Sequence, residues 1–237
     1  MNCAPVPSNN PHPHPSPASG RGDSARSPAG GRWDNARFIT FEGIDGAGKS
    51  TLLESLVRAL AARGIAHVQT REPGGTTLGE SLRGLLLRES MSALTETLLM
   101  FAARAEHVRA VIVPALEAGK WVVCDRFLDA SYAYQGGGRG VARETIDELA
   151  RWSVPAQVQA DLTVLVDIDP QLAQQRLAQA RAGDRFEEES SVFFASVRAA
   201  YLQRAQDDPG RFLLVDGTRP PGELSTLVWE RLAPWLT

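Results

Sequence analysis

The segment Gly43–Ser50 carries the residues whose types and spacing most clearly indicate a chemistry. It reads GIDGAGKS and fits the pattern GxxxxGK[ST], in which backbone N–H groups surround phosphate oxygens, the lysine neutralises them and the hydroxyl binds Mg²⁺. Glycine lets the backbone approach an anion closely because it has no Cβ. The motif predicts a phosphate site made by Gly43, Ile44, Asp45, Gly46, Ala47, Gly48, Lys49, Ser50 and Thr51.

Three further charged residues follow apolar runs that are expected to be strands. Arg71 could bind two phosphate oxygens with its forked guanidinium, although a solvated arginine in a turn explains its position equally well. Asp125 follows four apolar residues and is expected to support Mg²⁺ or its waters. That signal is weak alone, since Leu162–Asp167 has the same form. Arg126 adds a second cation that could reach a phosphate.

Phe101 and Arg104 lie three residues apart in a helical pattern and so share a face. A ring beside a fork of donors could hold a nucleobase and bind its edge. A core phenylalanine with a surface arginine explains the same spacing. His107, one turn further, is expected on the helix surface.

Three consecutive glycines, 136–138, are expected to end any regular element. The polar side chains before them, among them Ser131, Tyr134 and Gln135, could line a sugar or base pocket.

Arginines also cluster around Gly183, where Arg181 and Arg185 flank the short segment between two helices. This arrangement is typical of a mobile lid that closes over a transferred phosphoryl group and excludes water. A charged helical hairpin is the alternative.

The elements that position these residues follow from alternating apolar runs and helical patterns. Predicted strands are Phe38–Phe41, His67–Thr70, Trp121–Cys124, Leu162–Asp167 and Phe212–Val215. Predicted helices span 51–63, 78–89, 93–118, 142–153, 170–181, 190–206 and 221–235. Strands joined by helical crossovers indicate an α/β fold with a parallel sheet covered on both faces. Ligands of such sheets bind at the carboxyl ends of the strands, where each motif falls.

Composition divides the chain of 237 residues into two parts. Residues 1–36 contain seven of the 15 prolines and few large apolar side chains, so we expect a disordered tail ahead of one domain, 37–237.

A net charge of -3 gives no indication of nucleic-acid binding. No apolar run approaches the ~20 residues of a membrane span. Two cysteines favour a reduced, cytoplasmic compartment.

Taken in order, five segments resemble bacterial thymidylate kinases: FEGIDGAGKST, TREPGGT, LLMFAARAEH, DRFLDASYAYQGGGRG and DRFEEES. The resemblance covers essentially all of 37–237. It implies a three-layer P-loop fold with a five-stranded parallel sheet, helices on both faces and a short lid. It also implies the conversion of ATP and dTMP to ADP and dTDP with Mg²⁺, and a homodimer.

The resemblance further implies a role for each matching residue. Gly43–Ser50 would hold the ATP phosphates, while Asp45 would face dTMP near its phosphate or sugar hydroxyl. The other implied dTMP contacts are Arg71 and Arg126 on the phosphate, Phe101 stacked on thymine, Arg104 on a thymine carbonyl, and Ser131, Tyr134 and Gln135 around the nucleotide.

The catalytic arginine is the remaining implied role. Relatives of the eukaryotic type carry arginine where this chain has Gly46. The bacterial type is expected to supply that charge from the lid, here from Arg181 and Arg185.

Two other functions fit part of the pattern. A kinase for another monophosphate, such as dUMP or dCMP, is the nearest alternative, because one methyl group changes binding by only ~1–3 kcal/mol. A nucleotide-dependent switch is less favoured, because a GTPase-type switch would carry an NKxD-like guanine motif and the sequence has none.

Overall fold

Five parallel strands form one sheet in the computed structural model, which describes residues 33, 35–178, 185, 186 and 189–236. The strands are β1 (Phe38–Glu42), β2 (His67–Arg71), β3 (Trp121–Asp125), β4 (Leu162–Asp167) and β5 (Phe212–Asp216). Their order across the sheet is β2-β3-β1-β4-β5. The predicted α/β class and all five predicted strands are confirmed. Four strands continue one residue further than predicted, into a polar residue.

Strand β1 lies at the centre of the sheet, and every one of its residues is buried. Ile39 and Phe41 join an apolar cluster with leucines of the first helix. Phe38 joins a second cluster and packs edge-on against Phe127, with ring centroids 4.8 Å apart. Because successive side chains point to opposite faces, both faces of the sheet are covered, which explains the continuous apolar run.

Nine α-helices lie within the described residues, and all but α5, for which no helix was predicted, lie close to predicted positions. They are α1 (Lys49–Ala62), α2 (Thr77–Arg88), α3 (Ala93–His107), α4 (Val113–Glu117), α5 (Leu128–Ser131), α6 (Arg143–Ser153), α7 (Pro170–Ala178), α8 (Ser191–Asp207) and α9 (Pro221–Leu232). Side chains of Thr76, Ser92 and Ser190 accept hydrogen bonds from the first turns of α2, α3 and α8. These caps fix where the three helices begin.

One predicted helix, 93–118, contains a change of helix type. Residues Val108–Ile112 form a π-helical turn between α3 and α4. Pro114 lies in the first turn of α4. Because proline has no N–H and its ring clashes with the preceding turn, a wider turn before it keeps the helical path continuous.

The expectation that glycines 136–138 end any regular element is wrong. A π-helix spans Tyr132–Gly138 directly after α5, and sequence reasoning missed this whole helical segment. A Cβ on Gly137 would lie 2.6 Å from Ala200 Cβ and 2.9 Å from Ser196 O. Small residues are needed here because α8 packs directly on the π-helix.

Residues before Arg37, the predicted start of the domain, also pack against the core. Ala36 is 1% exposed, and the Trp33 side chain packs on the second apolar cluster. The indole N–H of Trp121 donates to Asn35 O at 3.0 Å. Trp33, Asn35 and Ala36, which were predicted from composition to lie in the tail, therefore pack with the folded domain.

Part of the predicted lid, including Arg181, lies outside the described residues. Among the residues that the structure does describe, every helix is too short or too polar to cross a bilayer.

Candidate active site

The loop Gly43–Gly48 joins the end of β1 to the start of α1. Gly43, Gly46 and Gly48 have φ angles of 132°, 81° and 100°, which side-chain-bearing residues rarely adopt. A Cβ on Gly43 would overlap Val166 O, and one on Gly46 would overlap Ala173 O. Conformation therefore requires glycine at all three positions, and space requires it at Gly43 and Gly46. The loop presents its backbone at the N-terminus of α1, where anions are favoured.

Lys49 lies against this loop. Its Nζ donates to Gly43 O at 3.1 Å and to Ile44 O at 3.0 Å, and is 3.5 Å from Asp45 Oδ1. Burial and the nearby Arg126 charge lower the Lys49 pKa, whereas Asp45 raises it. These polar contacts thus hold the ammonium group beside the loop.

Arg126 connects the loop to the neighbouring cavity. Its guanidinium donates to Gly43 O at 2.9 Å, to Asp45 Oδ1 at 2.7 Å, and at 3.1 Å to each of the Tyr134 and Tyr201 hydroxyls. The residue has φ of 68°, uncommon for a side-chain-bearing residue. The backbone N–H of Arg126 donates to Phe41 O at 2.9 Å. This hydrogen bond to β1 fixes the turn that orients the Arg126 side chain.

Asp45 is the anion between the two cations. Burial raises its pKa, but the charges of Arg126 and Lys49 outweigh burial, and the net pKa lies below its ordinary value. The carboxylate is therefore ionised at neutral pH, and it holds the two cations beside the loop.

A second carboxyl group, Glu42, lies beneath Arg126 and was not singled out from the sequence. It is fully buried, accepts from the N–H of Phe127 at 2.7 Å and from the Tyr201 hydroxyl at 2.7 Å. Burial, with the Asp129 charge, raises the Glu42 pKa from 4.5 to about 8. A charged residue that ends a buried strand is the sequence signal that could have found it.

One cavity beside the loop brings together six of the predicted substrate residues. These are Asp45, Arg104, Arg126, Ser131, Tyr134 and Gln135. The remaining lining residues are Glu72, Pro73, Arg83, Leu87, Met100, Phe127, Ala130 and Phe186. The lining joins arginines, one of them Arg126 beside the loop, to apolar side chains and the Gln135 amide, a combination that suits a nucleoside monophosphate.

The prediction that Phe101 and Arg104 lie on one face of α3 is confirmed. The Arg104 guanidinium carbon is 4.7 Å from the centroid of the Phe101 ring. Both residues are buried, and Phe101 also packs with Ile146 and Ala150. The alternative of a surface arginine is therefore wrong, because the guanidinium donates to Glu72, Ser131 and Phe127.

Gln135 joins a buried ion-pair cluster around Glu96. Its Nε2 donates to Glu96 Oε1 at 2.9 Å, and Arg185 Nη2 donates to Glu96 Oε2 at 2.8 Å. Arg139 Nε also donates to Glu96, and its Nη1 is 2.6 Å from Glu189 Oε1. The structure thus places Arg185, one of the two predicted lid cations, on the Glu96 carboxylate.

A second cavity contains the predicted metal residues. Ser50 and Asp125 both line it, together with Arg71, whose Nη2 is 2.8 Å from Glu80 Oε2. Asp125 Oδ1 is buried and has no hydrogen-bond partner within the described ranges. The same ranges contain no cluster of three or more His, Cys, Asp or Glu side chains suited to a metal. A carboxylate oxygen without a partner, in a cavity that a serine also lines, would suit Mg²⁺ bound together with phosphates.

The expectation that His107 lies on the helix surface is wrong, because its side chain is fully buried. Its ring contacts Thr70 and Glu72. Glu96, Arg104 and His107 are spaced by eight and three residues, so they fall on one helical face. Polar residues repeated at helical spacing are the signal that could have identified this face as part of the site.

Three comparisons relate the chain to known proteins. The family model for thymidylate kinases matches residues 41–228. The thymidylate kinase of Bordetella petrii is 58% identical over 188 residues, which are 79% of this chain and 90% of the relative. The thymidylate kinase of Methylobacillus flagellatus is 58% identical over 184 residues, covering 78% and 90%. The crystal structure of thymidylate kinase from Ehrlichia chaffeensis superposes with a TM-score of 0.68 at 33% identity, covering 84% of this chain and 98% of that one.

Proposed function

This chain belongs to the thymidylate kinase family, and we propose that its two cavities transfer the γ-phosphoryl group of ATP to dTMP. The products are ADP and dTDP, a precursor of dTTP for DNA synthesis. The proposal also assigns the enzyme to the cytoplasm, where its nucleotide substrates are available.

The observation that carries the proposal is the position of Arg126. Its guanidinium contacts the phosphate loop at Gly43 O and the monophosphate cavity at Tyr134 and Asp45. A cation at this point neutralises donor and acceptor phosphates together. Because the acceptor is already a phosphate oxygen, the reaction depends on positioning and charge neutralisation more than on a strong base.

The base end of the cavity supports a pyrimidine with carbonyl groups. Arginine carries five N–H donors and no acceptor. Three donors of Arg104 are used by Glu72, Ser131 and Phe127, and the described contacts leave one N–H on each terminal nitrogen. In the proposed complex these groups donate to thymine, with Gln135 and Ser131 nearby and Phe101 beneath the guanidinium.

Ser50 and Asp125 would hold Mg²⁺, in keeping with the unpaired Asp125 oxygen in their cavity. A Mg²⁺ ion held there would supply positive charge to offset the charge that develops on the transferred phosphoryl group. Arg71 lines the same cavity as the second candidate for the dTMP phosphate, where Glu80 holds its guanidinium.

Arg181 and Arg185 remain the candidate lid cations. Arg181 lies outside the described residues, so it is proposed from the sequence alone. Arg185 would have to exchange its Glu96 contact for a phosphate in order to act on the transferred group.

We further propose a homodimer that covers the exposed apolar surface of α2 and α3. Leu78 and Leu85 on α2 are 52% and 47% exposed, and Leu94 and Leu98 on α3 are 56% and 48% exposed. The double variant Leu85→Glu/Leu98→Glu should be monomeric by light scattering, whereas wild type should have twice the mass of one chain. Val192→Glu is the control, since Val192 is 73% exposed on α8 and should leave the dimer intact. A wild-type monomer would contradict this proposal.

A coupled assay of ADP formation with a panel of acceptors tests the proposed reaction. With ATP and Mg²⁺, dTMP should react fastest and dUMP less well, because a single methyl group contributes only ~1–3 kcal/mol. Chelation of Mg²⁺ and omission of the acceptor serve as controls and should abolish ADP formation. Faster turnover of dCMP or AMP would show that the substrate assignment is wrong.

A further inference from the structure

Four polar side chains form an uninterrupted hydrogen-bonded line from the end of β2 to the base side of the cavity. Thr70 Oγ1 is 2.6 Å from His107 Nε2, and His107 Nδ1 is 2.9 Å from Glu72 Oε1. The other carboxylate oxygen, Glu72 Oε2, accepts from Arg104 Nε at 2.7 Å. The line ends at the arginine that lines the cavity.

The chemistry of these groups fixes the direction of each hydrogen bond. A carboxylate only accepts, so the His107 ring carries a proton on Nδ1 and donates to Glu72. In the neutral ring Nε2 then accepts from the Thr70 hydroxyl. Both Glu72 oxygens are occupied, and the carboxylate cannot rotate without breaking one of the two bonds. His107, Glu72 and Arg104 are 0%, 5% and 2% exposed, which makes a broken bond costly.

Packing, in addition to hydrogen bonding, restricts the position of the histidine ring. A Cβ on Gly75, in the turn after β2, would lie 2.6 Å from His107 Cδ2. The ring therefore occupies the space between that turn and α3. A smaller side chain at position 107 would leave Glu72 with Arg104 as its one side-chain partner in the described contacts, and free to turn.

We propose that His107 and Glu72 are positioning residues which lock the Arg104 guanidinium and thereby set the preference for thymine over cytosine. The inference rests on the proposed function, because it assigns a base to the cavity. Thymine presents a carbonyl oxygen at its fourth ring position, whereas cytosine presents an amino group there. Arg104, which can only donate, matches the first and opposes the second. Without Glu72 the guanidinium keeps only its bonds to Ser131 Oγ and Phe127 O, so it can tilt away from the amino group and loses this discrimination.

Binding measurements on the full chain test this role. Dissociation constants for dTMP and dCMP are measured by calorimetry, with kcat for dTMP and urea unfolding, for wild type, His107→Ala, His107→Gln and Glu72→Gln. Val108→Ala is the matched control, because Val108 is the next residue, is 2% exposed and packs in an apolar cluster. His107→Gln fills most of the same space and can still donate to Glu72. It therefore keeps the test possible if His107→Ala does not fold.

His107→Ala and Glu72→Gln should weaken dTMP binding by roughly 10- to 100-fold, the range for hydrogen bonds to charged groups. They should change dCMP binding little, so the ratio of the dCMP dissociation constant to the dTMP dissociation constant falls. His107→Gln should recover part of the ratio. Val108→Ala should lower stability without changing the ratio.

An unchanged ratio in His107→Ala and Glu72→Gln, with both ligands weakened equally or not at all, would show a merely structural role and overturn the inference. Wild-type turnover of dTMP in the same series tests the proposed function separately. A wild-type enzyme active on dTMP with an unchanged variant ratio refutes only the inference.

Discussion

Single residues at the boundary between the loop and the cavity determine the proposed chemistry. Lys49 and Arg126 lie on either side of Asp45, at 3.5 Å and 2.7 Å from its Oδ1. In the proposed reaction these two cations would lie between the donor and acceptor phosphates, and Asp45 balances their charge before the nucleotides bind. The pairing with Asp45 keeps both side chains oriented, so less ordering remains to be done when nucleotides bind.

The first residue-scale prediction is that Lys49→Ala and Arg126→Ala each lose most activity. Cations that stabilise a transferred phosphoryl group contribute several kcal/mol, so we expect kcat to fall by roughly 10²- to 10⁴-fold. Circular dichroism should show the wild-type secondary structure. Arg58→Ala, in which a 71% exposed arginine of α1 is removed, should retain wild-type turnover. Near wild-type rates in Lys49→Ala or Arg126→Ala would refute the assignment of that residue.

The second residue-scale prediction concerns Glu42 and the pH dependence of stability. Burial raises its folded-state pKa to about 8, whereas the unfolded chain releases the proton near 4.5. The folded state therefore binds more protons between these values, and the free energy of unfolding falls as pH rises through the window. Relative to Glu42→Gln, wild type should lose up to about 1.4 kcal/mol per pH unit.

Urea unfolding of both proteins at several pH values between 5.5 and 8 measures this slope. The Gln variant keeps the size of the side chain but cannot titrate. A difference between the two proteins that stays constant across the series would mean that Glu42 titrates outside this range.

The motif residues were predictable because phosphate binding constrains their spacing along one short segment. The positions of Asp125 and Arg126 were predictable too, because Asp125 ends a recognisable strand and Arg126 follows it. Glu42, Glu72 and His107 were not predictable in this way, since their partners lie up to 159 residues away in the chain. Only the folded structure shows that Tyr201 donates to Glu42, and that Glu72 lies between His107 and Arg104.

At the scale of elements, the segment 128–138 shows how packing overrides local preference. Glycine lowers helix stability by about 1 kcal/mol relative to alanine, yet Gly136–Gly138 are helical. The loss is offset because α8 approaches closely enough for Phe193, Ser196 and Ala200 to contact the glycines. Strands with continuous apolar runs were predicted well. The helical form of this segment could not be predicted without knowing that α8 packs on it.

The element-scale prediction is that Gly137→Ala lowers the free energy of unfolding. The added methyl group would lie 2.6 Å from Ala200 Cβ, and overpacking of this kind costs roughly 1–3 kcal/mol. Gly222→Ala, within α9, makes the same change where nothing lies within 4 Å. Urea unfolding should show a loss for Gly137→Ala and none for Gly222→Ala. Equal stability of the two variants would contradict the close packing of α8 on the π-helix.

At the scale of the whole molecule, the sheet brings the ends of β1, β2 and β3 together and so builds both cavities at one edge. Asp125 is opposite Arg71 of β2 and Phe41 of β1 in the register. Parallel pairing thus aligns residues from three distant parts of the chain. The order of strands and helices in the sequence predicted that these strand ends meet. Composition alone did not predict that residues before Arg37 pack on the domain.

The whole-molecule prediction compares two truncations. Removal of residues 1–32 should leave the melting temperature unchanged, because their composition provides little to bury. Removal of residues 1–36 should lower it by several degrees, since burial of large apolar side chains contributes ~1.5–3 kcal/mol each and Trp33 packs on the core. Differential scanning calorimetry distinguishes the two. Identical melting temperatures for the two truncations would show that the Trp33 contact adds nothing.

The central claim is that the loop and the cavity together pass the γ-phosphoryl group of ATP to dTMP. Incubation with ATP labelled at its γ-phosphate, Mg²⁺ and dTMP, followed by separation of the nucleotides, tests this claim most directly. The label should appear in the β-phosphate of dTDP, with one ADP formed for each dTDP. Label released as inorganic phosphate, with dTMP unchanged, would contradict the account.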